Sequence, residues 1–120
     1  MHTIDILEEW GIIEVVSRGD LLLYEMEEER RKVGELRKKD GYYKILVDDR
    51  AITSLPSSGE LYQFGSTFWQ RGIADIIVAH VVHDKAVTEM AFLEDVAVNR
   101  GTTIKTFTDY NQAINWLKEQ

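Results

Sequence analysis

The 120-residue sequence has no cysteine and only one proline, Pro56. Without cysteine there are no disulfides, no thiolate zinc site and no cysteine nucleophile, and a reducing, cytoplasmic setting is the expectation. Surplus positive charge is also lacking, because 14 Lys and Arg stand against 21 Asp and Glu, a formal net charge of −7. Nucleic acid is therefore not an expected partner, since binding a phosphate backbone needs Lys and Arg in excess on one surface. Long apolar runs are missing too. The most apolar stretch, Ile76 to Val82, is interrupted by His80 and falls far short of the roughly 18 to 20 residues that cross a bilayer. No transmembrane segment is expected, which leaves peripheral contact as the membrane association still open. The start, Met1-His2-Thr3-Ile4-Asp5, has neither the basic beginning nor the apolar middle of a secretion signal. A glycine-rich phosphate loop, a nucleophile elbow and a carboxylate pair of evident geometry are all absent, so neither catalytic residues nor a cofactor are expected.

At 44% hydrophobic and 29% charged residues, the composition is that of a folded chain with a sizeable core, and a single domain over residues 1–120 is expected. Thr3 to Leu7, a turn at Trp10-Gly11 and the β-branched run Ile12-Ile13-Glu14-Val15-Val16 predict a hairpin. Asp20 is the expected cap of a first helix, with Leu22, Met26, Val33 and Leu36 along one face. In that helix Glu25, Glu27, Glu28 and Glu29 precede Arg30, Arg31, Lys32, Arg37, Lys38 and Lys39. Acid first and base last complements the helix dipole, and pairs four apart such as Glu28 with Lys32 support an exposed face. The charge run reads as a solvated face, with a docking surface as the competing reading.

Glycines at Lys39-Asp40-Gly41, Arg71-Gly72 and Arg100-Gly101 mark three helix ends, where a left-handed residue closes the last turn. Tyr42 to Val47 and Ile76 to Ala79 are short continuous apolar runs, expected as central strands covered on both faces. Between them Leu61, Phe64 and Phe68 define one side of a helix from about Ser58 to Arg71, with Tyr62 and Trp69 on its shoulder. A third helix is expected from about Asp84 to Arg100, then an edge strand over Thr103 to Phe107 and a short terminal helix capped by Thr108 or Asp109. The order β-β-α-β-α-β-α-β-α predicts an α/β fold with a mixed sheet of four to five strands and about four helices.

Three groups of residues invite chemistry. Pro56-Ser57-Ser58-Gly59-Glu60 forms a capping box, with Ser57 at the start of the second helix. Its simplest role is structural, yet a phosphoryl group on Ser57 would sit at the positive end of that helix. Asp48, Asp49 and Arg50 end the third strand, where open α/β sheets collect ligands, and alternation should turn the two aspartates to opposite sides. A surface Asp to Arg pair is the plainer reading. His80, His83 and Asp84 are three metal-ligand types in five residues, but on a strand the two imidazoles point apart, so no metal site is expected.

Taken together, Lys44-Ile45-Leu46-Val47-Asp48-Asp49, the loop Leu55-Pro56-Ser57-Ser58-Gly59, the helix ending Gln70-Arg71-Gly72, the strand from Ile76 and the ending Phe107 to Leu117 resemble the STAS domain, the SpoIIAA-like family of anti-sigma factor antagonists. The resemblance spans nearly the whole chain and implies a SpoIIAA-like fold. In that family the serine after an aspartate in this loop is phosphorylated by a partner kinase that doubles as an anti-sigma factor. By position that serine is Ser57, and Pro56 stands where the family has its aspartate, removing a carboxylate and an amide donor. The resemblance implies a noncatalytic regulatory module that binds a protein partner through the loop Pro56, Ser57, Ser58 and Gly59 and the adjacent helix, with Asp48, Asp49 and Arg50 on the rim. Relatives resembling lipid or small-ligand carriers imply an alternative, an apolar ligand held between helices and sheet beside Tyr62, Phe64, Phe68 and Trp69. A homodimer is expected if Trp10, Tyr42 or Tyr43 is exposed.

Overall fold

The computed structural model describes residues 1–67 and 75–120. Strands β1 (His2–Leu7) and β2 (Ile12–Asp20) form the hairpin, followed by α1 (Leu23–Asp40), β3 (Lys44–Ser54), α2 (Ser58–Ser66), β4 (Ile77–Val81), α3 (Val87–Asn99), β5 (Thr103–Phe107) and α4 (Tyr110–Lys118). A single 3-10 turn at Asp84–Ala86 leads into α3, so the third helix begins later than the apolar periodicity predicts. The extension of α2 to Arg71, the Arg71-Gly72 stop, and Phe68 and Trp69 lie outside the described residues.

The five strands lie in the order β1-β2-β3-β4-β5. β1 pairs antiparallel with β2, and the other neighbours pair in parallel. Parallel strands that follow one another in sequence carry their right-handed crossovers on one face. Accordingly Met26 and Val33 of α1, Leu61 and Phe64 of α2, and Met90 and Leu93 of α3 share one core with Ile13, Val15, Ile45, Val78 and Ile104. The terminal helix α4 has no strand to return to and covers the opposite face, where Ala113, Ile114 and Leu117 pack on Ile12, Leu46, Ala79 and Val81. β3 and β4 are thus buried on both sides, which is why their sequences run apolar without alternation.

Local signals account for most element ends. Gly41 takes φ +80° after α1, and its N–H donates to the Arg37 carbonyl. Asp109 caps α4 through its side chain, which accepts from the Gln112 amide at 2.9 Å. The start of α1 differs from expectation. Asp20 ends β2 and accepts from the Thr53 and Ser54 hydroxyls at 3.2 and 2.9 Å, so it is used to tie β2 to β3. The N-cap is Leu22, without a side-chain bond, and Leu22 is exposed while Leu21 enters the core. The β-branched run simply continues pairing through the irregular register at Gly19, and extended pairing outcompetes the local cap.

A second correction concerns the charged face of α1. Arg31 with Glu35 and Lys32 with Glu28 do form exposed pairs, at 2.5 and 3.3 Å, but Glu29 and Arg30 are buried. They fall between Met26 and Val33, one helical turn from each, and so on the face the apolar residues carry inward.

Candidate functional site

Two places answer to the residues singled out by the sequence, and alternation along β3 separates them. Asp48 and Arg50 lie on the α4 side. The Arg50 Nε and Nη2 donate to the two Asp48 carboxylate oxygens at 2.9 and 2.8 Å, and the Arg50 amide adds a third bond at 3.1 Å. Burial opposes the Asp48 charge, but the side-chain and backbone hydrogen bonds from Arg50 outweigh it and hold the carboxyl below its ordinary value. The guanidinium also lies 5.3 Å from the centre of the Tyr110 ring. The Tyr110 hydroxyl donates to Glu14, and burial followed by that bond pushes its pKa up to about 12. Arg50 then lines a groove of mixed polar and apolar character with Ser54, Leu55, His83, Lys85 and Glu89, past the end of β4 and along the last residues of β3. That strand runs on to Ser54, so Asp48, Asp49 and Arg50 lie within the third strand and do not end it.

The Pro56 to Gly59 loop continues from that groove. Ser57 is exposed at the N-cap of α2, its hydroxyl accepts from the Glu60 amide at 3.2 Å, and the Glu60 carboxylate accepts from the Ser57 amide at 3.0 Å. The capping box is therefore formed in full. Ser58 and Gly59 are exposed beside it. Tyr62 is 47% exposed and turns toward α3, where its hydroxyl accepts from Arg100 at 2.9 Å. It therefore does not join the loop.

Asp49 faces the other way, into the space between the sheet and α1, α2 and α3. Its Oδ2 is 2.5 Å from His80 Nε2, and both side chains are almost wholly buried. Parallel register places Val47 beside His80, which brings Asp49 diagonally across from the imidazole. On the same face the Ser17 hydroxyl donates to Glu29 at 2.7 Å, and His2 Nδ1 lies 3.6 Å from the same carboxylate. Burial pushes the Glu29 carboxyl from about 4.5 up to about 7, against the pull of the Ser17 hydrogen bond, and the charge of Asp49 adds to the rise. Two side-chain oxygens in this row, Asp49 Oδ1 and Thr106 Oγ1, are buried with no hydrogen-bond partner among the described residues. Thr106 lies directly across from His80 in the register of β4 and β5.

These acids and the histidine border a cavity walled mainly by apolar side chains, among them Val15, Val33, Phe64, Val78, Leu93 and Ile104. The room open to the centre of a water molecule is about 70 Å³. Left empty, a void of that size forfeits roughly 2 kcal/mol of packing at about 24 cal/mol per Å³, a large fraction of a small domain's stability. Arg30 closes one side. Its Nη1 donates to the Phe64 carbonyl and the Thr67 hydroxyl, both at 2.9 Å, Nη2 lies 3.2 Å from Glu27, and the guanidinium sits 4.3 Å from the Phe64 ring centre. A cation on the final carbonyls of α2 complements the helix dipole.

Sequence reasoning missed Glu29, Arg30, Ser17 and Thr106, and paired neither Asp49 with His80 nor Glu29 with Ser17. The spacing Met26, Glu29, Arg30, Val33 carried a signal, since charged residues inside an apolar helical stripe are the ones that turn inward. The imidazoles of His80 and His83 diverge: His80 is buried on Asp49, while exposed His83 caps the turn before α3 by accepting from the Lys85 amide at 3.1 Å. Among the described residues no three His, Asp or Glu side chains converge as metal ligands, and no helix is long and apolar enough to cross a membrane. Trp10 and Tyr43 are 36% and 41% exposed, and Tyr42 is half-buried.

No protein-family model and no curated protein matches the sequence. Solved structures do match its fold. An anti-sigma factor antagonist from Mycobacterium paratuberculosis superposes with a TM-score of 0.68 at 12% identity, over 98% of this chain and 93% of the other. The protein TM1081, solved by NMR, superposes with a TM-score of 0.60 at 14% identity, over 100% of this chain and 90% of that one. The chain has a SpoIIAA-like, STAS-like α/β fold.

Proposed function

We propose that the protein is a noncatalytic regulatory module that binds a protein partner through the Pro56 to Gly59 loop and the groove beside it. The carrying observation is the exposed Ser57 hydroxyl at the start of α2, flanked by the Arg50 to Leu55 arm of the groove at the C-terminal edge of the parallel strands. That edge is where α/β sheets gather their ligands, and a phosphoryl group on Ser57 would meet the positive end of α2. The family resemblance adds the partner's class, a kinase of the anti-sigma type. Pro56 in place of the family aspartate makes Ser57 itself the point to test. Asp at an N-cap accepts the same amide hydrogen bond as Ser, so Ser57→Asp introduces charge while keeping the helix start. Wild-type and Ser57→Asp proteins serve as baits in extracts of the source organism, with captured proteins quantified by mass spectrometry. A partner gained or lost with the substitution, at unchanged melting temperature, is the expected result, and identical capture by both baits overturns the role of Ser57.

The cavity favours a second reading from another class, a carrier or sensor that holds a small apolar ligand between helices and sheet. Its carrying observation is the apolar wall contributed by α1, α2 and α3 around unfilled space. Native mass spectrometry beside denatured intact mass, on protein purified gently from its source, is expected to show a noncovalent adduct that denaturation removes. A bare chain in both spectra counts against this reading.

A further inference from the structure

The cavity is not uniformly apolar. Asp49 is among its lining residues, and its Oδ1 is an acceptor buried with no partner among the described residues, while Oδ2 is taken by His80. A buried acceptor left unmatched is costly, so such groups are normally satisfied by water or by a ligand. Water is a poor tenant here, because an ordered buried water makes about three hydrogen bonds and the remaining wall is predominantly Val, Ile, Leu, Met and Phe. Arg30, the nearby guanidinium, is engaged with the end of α2 and with Glu27. It therefore offers no ready counter-charge for an acidic ligand, and Asp49 and Glu29 both line the space.

We infer that this cavity takes a small apolar molecule with one polar head group that donates a hydrogen bond, a hydroxyl or amino group, which docks on Asp49 Oδ1 while its hydrocarbon body lies against Val33, Val78, Leu93 and Ile104. This rests on the ligand-holding reading above and specifies the head group that reading leaves open. A carboxylate head is disfavoured, because its charge would face the Asp49 carboxylate while Arg30, the guanidinium on the cavity wall, is already engaged with Phe64, Thr67 and Glu27. A purely hydrocarbon ligand would leave the Asp49 acceptor unmatched. About 70 Å³ of room corresponds to about five to seven waters at about 10 to 15 Å³ each, which suits a short alkyl chain.

The test is calorimetric titration of the whole protein at pH 7 with 1-hexanol, hexylamine and hexanoate. Hexanol or hexylamine is expected to bind at least about tenfold tighter than hexanoate, the size of effect one buried charge-assisted hydrogen bond supports. Asp49→Asn, whose amide can accept from His80 with its oxygen and turn its N–H to the cavity, should reverse that order. Val33→Phe, which fills the space and leaves Asp49 in place, should abolish binding of all three. Equal affinity for the three probes overturns the head-group assignment while leaving an apolar site standing. No saturable binding by the wild type overturns both the assignment and the ligand-holding reading. Binding that survives Val33→Phe places the probe elsewhere and overturns the inference without relying on the Asp49 variant folding.

Discussion

Asp48 and Asp49 are neighbours in sequence, yet they live on different sides of the sheet and under different rules. On the α4 face Asp48 is held by three hydrogen bonds from Arg50, within reach of solvent, beside the buried cluster of Leu46, Ala79, Ala113 and Leu117. On the face under α1, α2 and α3, Asp49 keeps one oxygen on His80 and the other without a partner among the described residues, next to unfilled space and a second buried acid. A short helix that must cover half a sheet can be made to fit with small and branched residues. Three crossover helices, each set by its own strands, meet over the other half and leave a gap between them. Room for a role beyond folding lies under the three crossover helices.

The comparison predicts unequal responses to similar substitutions. The largest effect is expected from Leu117→Ala on the closed face, where Leu117 has no exposure. A loss of about 2 to 5 kcal/mol is expected, read from urea unfolding, and it should leave binding of hexanol or hexylamine unchanged.

Glu29→Gln probes the open face through pH. The Glu29 carboxyl titrates near 7 in the fold and near 4.5 when the chain is unfolded. Between those values the folded state retains a proton that the unfolded state has released, so this residue's contribution to stability falls as pH rises through that window and is level on either side. The whole difference amounts to roughly 3 kcal/mol. Glu29→Gln should therefore gain on the wild type progressively from pH 4 to pH 8, and parallel stability profiles would contradict the burial of this acid. Asp48 is expected to act in the opposite sense. Its lowered carboxyl contributes stability above its unfolded pKa and loses it as pH falls through the folded one.

Adding volume sharpens the contrast further. Ala79→Leu pushes carbon into the packed α4 face and should cost about 1 to 3 kcal/mol. Val33→Leu places it against the cavity and should be close to neutral or stabilising in the same thermal scan. Equal penalties would mean that the two faces are packed alike. The smallest effect belongs to the surface loop. Ser57→Ala removes the cap of α2 and should cost about 1 kcal/mol, while Ser57→Asp keeps the cap and should melt with the wild type.

Much of this architecture is legible from one sequence. The continuous apolar runs at Tyr42 to Val47 and Ile76 to Ala79, the box Ser57 to Glu60, and glycines 41 and 101 mark strands and helix ends by local chemistry alone, and the structure places them accordingly. Asp20 was misleading because a cap competes with continued strand pairing, and the partner strand supplying Thr53 and Ser54 is distant in sequence. The candidate loop was readable at Ser57 for the same local reason. The cavity was not, since its walls come from seven separate elements and its polar side joins Ser17, Glu29, Asp49 and His80 across four of them.

What the sequence determined by itself is the alternation of strands and helices, the burial of β3 and β4 on both faces, and the opposite directions of Asp48 and Asp49. The first and last follow from a periodicity of two or 3.6 residues and the second from apolar runs in which alternation is absent, signals that each segment carries independently of its neighbours in space. The packing of whole elements settled that Glu29 meets Ser17, that His80 meets Asp49, and that three helices leave room above them. Those outcomes depend on how far apart whole elements come to rest, a sum over many contacts that no local spacing encodes.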